Sequence, residues 1–131
     1  MTKFMGENDS LMGIANRKLY QEGDLIFFEG DEANYVYIIL HGSVKIFKAA
    51  SDGSGVKDIC TLHEKQMFGE FAVLNDSGRN ASAIAMAPTE VMVIGKEQFK
   101  KKFSKLDPFF KFWFEYLIES IQDLTERLPT V

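Results

Sequence analysis

The chain has 131 residues, 46% of them apolar, and its 15 Lys and Arg against 19 Asp and Glu leave a net charge of −4. That length suits one domain (residues 1–131) with a core of its own, and the acidic balance speaks against nucleic acid as a partner, since neutralising phosphates needs a basic face. A single cysteine, Cys60, rules out an internal disulfide, an iron–sulfur cluster or a thiolate zinc site; a small, buried side chain in a reduced protein is expected of it.

The opening stretch, MTKFMGENDSLMGIAN, lacks an apolar run of signal-peptide length and is expected to hold a short helical segment. No stretch approaches the ~18 apolar residues of a membrane span. A cytoplasmic protein without a membrane partner is expected. From about residue 17 to residue 95 the text reads as strands. Aromatic and β-branched runs are punctuated by Glu22-Gly23-Asp24, Glu29-Gly30-Asp31 and His41-Gly42-Ser43, where glycine supplies the turns. Turn signals at this density predict an all-β sandwich or barrel. Val36 to Leu40 is nearly all apolar, as in a strand covered on both faces or one that closes a jelly roll. AASDGSGVK, residues 49–57, predicts a solvent-facing hairpin loop, and Pro88 divides two further strands.

The period changes in the last quarter, where helices are expected over about 96–128. EQFKKKFSKLD predicts a short helix ending before Pro108, with Lys100, Lys101 and Lys102 on a solvated face. Asp107 is then an N-cap and Pro108 a first helical residue. Phe110, Trp113, Phe114, Leu117, Ile121, Leu124 and Leu128 recur at helical spacing, predicting a buried stripe on a rod about 30 Å long. Phe109, Phe112 and Tyr116 fall on the other side, where a monomeric helix is normally polar.

FGEFAVLNDSGRNAS, residues 68–82, places the carboxylate of Glu70 and the guanidinium of Arg79 on either side of a short apolar run. Glycines and polar residues around them leave backbone amides available. Such a set suits a ligand that is anionic and carries hydroxyls. The stretch resembles the phosphate-binding cassette of cyclic nucleotide-binding domains, F-G-E-(apolar)-A-(apolar)2-x4-R-x-A-(S/T), and matches it without a gap. GDLIFFEGDEANYVYIILHGSVKIF is similar to the same family's first strands, and the likeness extends over residues 17–128.

This resemblance implies a mainly β fold, a jelly-roll barrel of about eight antiparallel strands with a short helix in the cassette and helices at the C-terminus. It implies a non-catalytic sensor of cAMP or cGMP. Phe68, Gly69, Glu70, Phe71, Ala72, Arg79, Asn80, Ala81 and Ser82 are its expected ligand-binding residues. Arg79 offers a planar fork to the phosphate, and Glu70 accepts the ribose 2′-hydroxyl. Helix amides after Gly69 add donors, Ala81 keeps the wall small, and Ser82 lies near phosphate or base. Asn80 donates and accepts, so it suits the phosphate, a guanine or a turn. Phe112, Trp113 and Tyr116 are candidate base caps on the last helix, which is expected to contact a protein effector or a second copy of the chain. The competing reading is a ligand-independent jelly-roll scaffold, against which the intact Glu70 and Arg79 argue. A metal-dependent jelly-roll enzyme needs clustered histidines. His41 and His63 stand 22 positions apart, and no nucleophile–base arrangement accompanies them. No metal and no catalysis are expected.

Overall fold

Among the described residues, turn glycines and alternating apolar residues produce eight antiparallel strands. The computed structural model describes residues 16–127; the expected N-terminal helical segment, Leu128 and the stop at Pro129 lie outside them. The strands are β1 (Asn16–Tyr20), β2 (Leu25–Phe27), β3 (Tyr35–His41), β4 (Val44–Ala49), β5 (Val56–Leu62), β6 (Met67–Phe68), β7 (Ser82–Ala85) and β8 (Thr89–Gly95). Helices α1 (Glu70–Leu74), α2 (Lys96–Ser104) and α3 (Pro108–Arg127) complete the order among the described residues. The strands form two four-stranded sheets, β1-β8-β3-β6 and β2-β7-β4-β5, stacked as a jelly roll.

Between the sheets pack Tyr20, Tyr37, Ile39, Val44, Phe68, Ala83, Ala85 and Val91. A second cluster, Val36, Ile38, Met92 and Ile94, lies on the outer face of the first sheet under Val73 of α1 and Phe99 of α2. The run from Val36 to Leu40 is apolar for this reason: alternate residues of β3 feed two different cores. At the β3–β4 turn, Gly42 has φ +104°, and a Cβ there would meet the Pro88 carbonyl at 2.7 Å. Buried Thr89 secures that turn by accepting the Ser43 N–H at 3.2 Å.

Asp107 caps α3 as expected, its Oδ1 accepting the Phe109 N–H at 2.9 Å. Three other expectations need correction. Cys60 is exposed, because β5 is the outer strand of its sheet and pairs with β4 alone. Lys100 is tied to the cassette rather than simply solvated: its Nζ bonds the Asp76 carboxylate, and Lys96 Nζ lies 3.1 Å from the same oxygen. The stripe on α3 is not buried. Phe110, Trp113, Phe114 and Leu117 remain 38–48% exposed, against 58–66% for Phe109, Phe112 and Tyr116. The helix has the expected polarity of faces, but the barrel covers neither fully. Its inner side meets α2 through the Phe103–Phe114 ring pair.

Candidate functional site

The β2–β3 turn and the end of the cassette are stitched together through their backbones. Gly30 N–H donates to the Arg79 carbonyl at 2.8 Å, and Arg79 N–H donates to the Asp31 carbonyl at 2.8 Å. Glu29 N–H donates to Ser82 Oγ at 2.8 Å. Asp31 closes the turn by accepting the Phe28 N–H at 2.9 Å. These bonds leave the Arg79 backbone one position, from which its side chain runs inward and is only 4% exposed.

Inside, Arg79 Nη1 donates to the Gly69 carbonyl at 2.7 Å and Nη2 to the Tyr35 carbonyl. The guanidinium lies over the Phe27 ring, with Cζ 4.1 Å from its centroid. Among the described residues no carboxylate comes within ion-pair distance of it, and Nε is buried without a partner. A buried cation normally has a counter-charge. Gly69 accommodates the guanidinium by lacking a side chain: its φ is +85°, and a Cβ would stand 2.7 Å from Nη1.

Glu70 begins α1 directly after that glycine, and its Oε2 is also buried without a partner. Burial raises its pKa above the ordinary value, a trend its own backbone hydrogen bond and nearby Arg79 oppose. Burial likewise lowers the pKa of Arg79, against the attraction of Tyr37, Glu70 and Asp31. Tyr37 is pushed up to about 12, chiefly by burial. Arg79 and Glu70 thus each keep a buried polar atom without a hydrogen-bond partner.

Other cassette residues divide by role. Phe68 stacks on Tyr37, ring centroids 5.0 Å apart, within the inner core. Ala72 packs on the outer cluster, and Phe71 is half-buried beside it in α1. Ala81 and Ser82 are buried, whereas Asn80 is exposed. The Ser82 oxygen accepts from Glu29, which leaves its own proton to donate. Phe112, Trp113 and Tyr116 are exposed on α3 and line no part of the cavity beside Arg79. That cavity, about 430 Å³, is walled by Tyr20, Phe27, Asp31, Tyr35 and Tyr37, with Arg79 the one cassette residue on its surface.

Phe27, Tyr35 and Tyr37 line the cavity but are not among the site residues expected from the sequence. Their signal was the aromatic density of the β2–β3 text, but strand propensity explains aromatics equally well. His41 and His63 are both exposed, and among the described residues no His, Cys, Asp and Glu cluster could hold a metal ion.

The family model described as "Cyclic nucleotide-binding domain" matches residues 17–105. A cyclic AMP receptor protein from Thermus thermophilus is 30% identical over 93 residues, 71% of this chain and 43% of the receptor. A cAMP-dependent protein kinase regulatory subunit from Debaryomyces hansenii is 34% identical over 95 residues, 72% of this chain and 20% of that protein. The chain thus spans less than half the length of either relative. Among solved structures, an EAL enzyme in its cGMP-bound form superposes with a TM-score of 0.74 at 25% identity, covering 85% of this chain and 29% of that one.

Proposed function

The chain belongs to the cyclic nucleotide-binding domain family, and from that premise we propose that it binds cAMP or cGMP at the Glu70–Arg79 recess, without hydrolysis, and signals occupancy through α3. One observation carries the reading: the Arg79 guanidinium is buried, held on two carbonyls and an aromatic face, with no carboxylate paired to it. Two of the five guanidinium N–H donors are engaged by carbonyls, and beyond a contact with Tyr37 the remainder are available to phosphate oxygens. The bound phosphate supplies the missing counter-charge. Glu70 then finds a partner for its buried oxygen in the ribose 2′-hydroxyl.

The exposed aromatics of α3 support the relay. Ligand binding shifts a pre-existing equilibrium according to its differential affinity for the two positions of the helix. In one of them Phe112, Trp113 or Tyr116 covers the base; α3 otherwise meets a second copy or a protein effector. Two relatives carry cAMP in their names, and one structural neighbour holds cGMP.

Calorimetry with each nucleotide is expected to show one site per chain and no turnover. Arg79→Ala removes the phosphate's partner, a loss of about 2–5 kcal/mol. Affinity then falls from about thirty-fold to several thousand-fold. Unchanged affinity would remove Arg79 from the site and the reading with it.

A further inference from the structure

Beneath Arg79 the fold places an aromatic ring where an acidic residue would ordinarily balance the charge. We infer that Phe27 is a positioning residue for the ligand: it holds the Arg79 cation in place without neutralising it. The inference rests on the nucleotide-binding reading of the same recess and names a residue outside the cassette.

Two observations support it. The first is contact. Arg79 Cζ stands 4.1 Å from the Phe27 centroid, within the range of a cation–π interaction. The ring packs against Tyr37 and Phe68, with centroids 5.8 and 6.0 Å away; Tyr37 also borders the cation, but its centroid is farther from Cζ, at 5.8 Å.

The second is backbone geometry. Successive residues of a regular strand point to opposite faces, yet Ile26 and Phe27 both pack on the inner core and both line the cavity. The β2–β7 register explains this: Leu25 pairs with Ile84 but Phe27 with Ala83, an irregularity of one residue between them. A bulge of this kind re-aims a side chain. Ala83, fully buried and small, leaves room for the ring.

A carboxylate under Arg79 would compete with the phosphate for the same donors. The face of a benzyl ring attracts the cation and leaves those donors unused. Replacing it with an aliphatic side chain frees the guanidinium to explore other rotamers, which must then be ordered when ligand binds. Such ordering reduces affinity by roughly two- to tenfold per side chain.

The test is cAMP titration of the full chain in a double-mutant cycle of Phe27→Leu and Arg79→Gln, with Phe27→Tyr as the conservative control. Phe27→Leu is expected to weaken binding by that factor, Phe27→Tyr to retain parental affinity, and Phe27→Leu to cost nothing further beside the neutral Arg79→Gln. Parental affinity in Phe27→Leu, or the same loss in both backgrounds, overturns the role. If Phe27→Leu fails to fold, Phe27→Met supplies the aliphatic corner of the cycle. Insensitivity to Arg79→Ala sinks the nucleotide-binding reading instead, so the two failures are distinguishable.

Discussion

Glu70 is a carboxylate whose fold resists its charge. Its pKa is raised by burial above the ordinary 4.5, so folding favours the protonated form more than the unfolded chain does. That contribution to stability is present below the unfolded value and is lost as pH rises through the folded one. Glu70→Gln should therefore raise the melting temperature of the ligand-free protein at pH 7, with the gain vanishing below about pH 4.5. If its acceptor serves the ribose, wild type should discriminate between cAMP and 2′-deoxy-cAMP, and Glu70→Ala should not. Equal discrimination by both proteins makes Glu70 structural. At Gly69, alanine meets a left-handed backbone and the Arg79 Nη1 position together. Gly69→Ala is expected to lose about 1–2 kcal/mol of stability in chemical denaturation, and to bind cAMP more weakly because Arg79 must shift.

Helix α3 presents a different problem, apolar surface that its own barrel leaves uncovered. Phe110, Phe114, Leu117 and Ile121 follow one another at steps of four, three and four, and each is 38–47% exposed. That spacing is the seam of a helix pair. Sedimentation of the full chain is expected to show dimers that dissociate on dilution, and Leu117→Glu should yield monomers with the nucleotide site intact. Dimers that persist in Leu117→Glu would place the contact elsewhere. Trp113 is the sole tryptophan, so its emission reports on this helix alone. Saturating cAMP should change that emission if α3 moves, and an unresponsive Trp113 leaves the helix as a fixed support.

At the scale of the whole molecule, the site connects elements that are far apart in sequence. The β2–β3 turn, the cassette and the carbonyl of Tyr35 meet at one guanidinium, while the Lys96 and Lys100 contacts to Asp76 tie α2 to the end of α1. Ligand that binds only the folded chain stabilises it by RT ln(1 + [L]/Kd), about 2.7 kcal/mol at a hundredfold excess over Kd. Thermal melts are expected to rise by several degrees with cAMP in wild type and to stay level in Arg79→Ala. A matching rise in the variant would locate the ligand away from this recess.

The sequence by itself determined the strand-and-turn text, the two-faced burial of β3, the capped start of α3 and the cassette with its Glu70 and Arg79. Each is local: glycine and proline act on their own dihedrals, periodicity marks a face, and the cassette is one contiguous run. Tertiary structure alone decided what surrounds those residues. Phe27 comes under Arg79 because a bulge in β2 turns it inward against Ala83, and strand propensity carries no trace of that pairing. Cys60 is exposed because β5 ends its sheet, a matter of strand order rather than composition. The stripe on α3 follows helical spacing, but spacing shows which residues share a face and not whether another surface reaches it. Side-chain type and period act within a few residues, whereas burial and counter-charge depend on which distant segments the fold brings together.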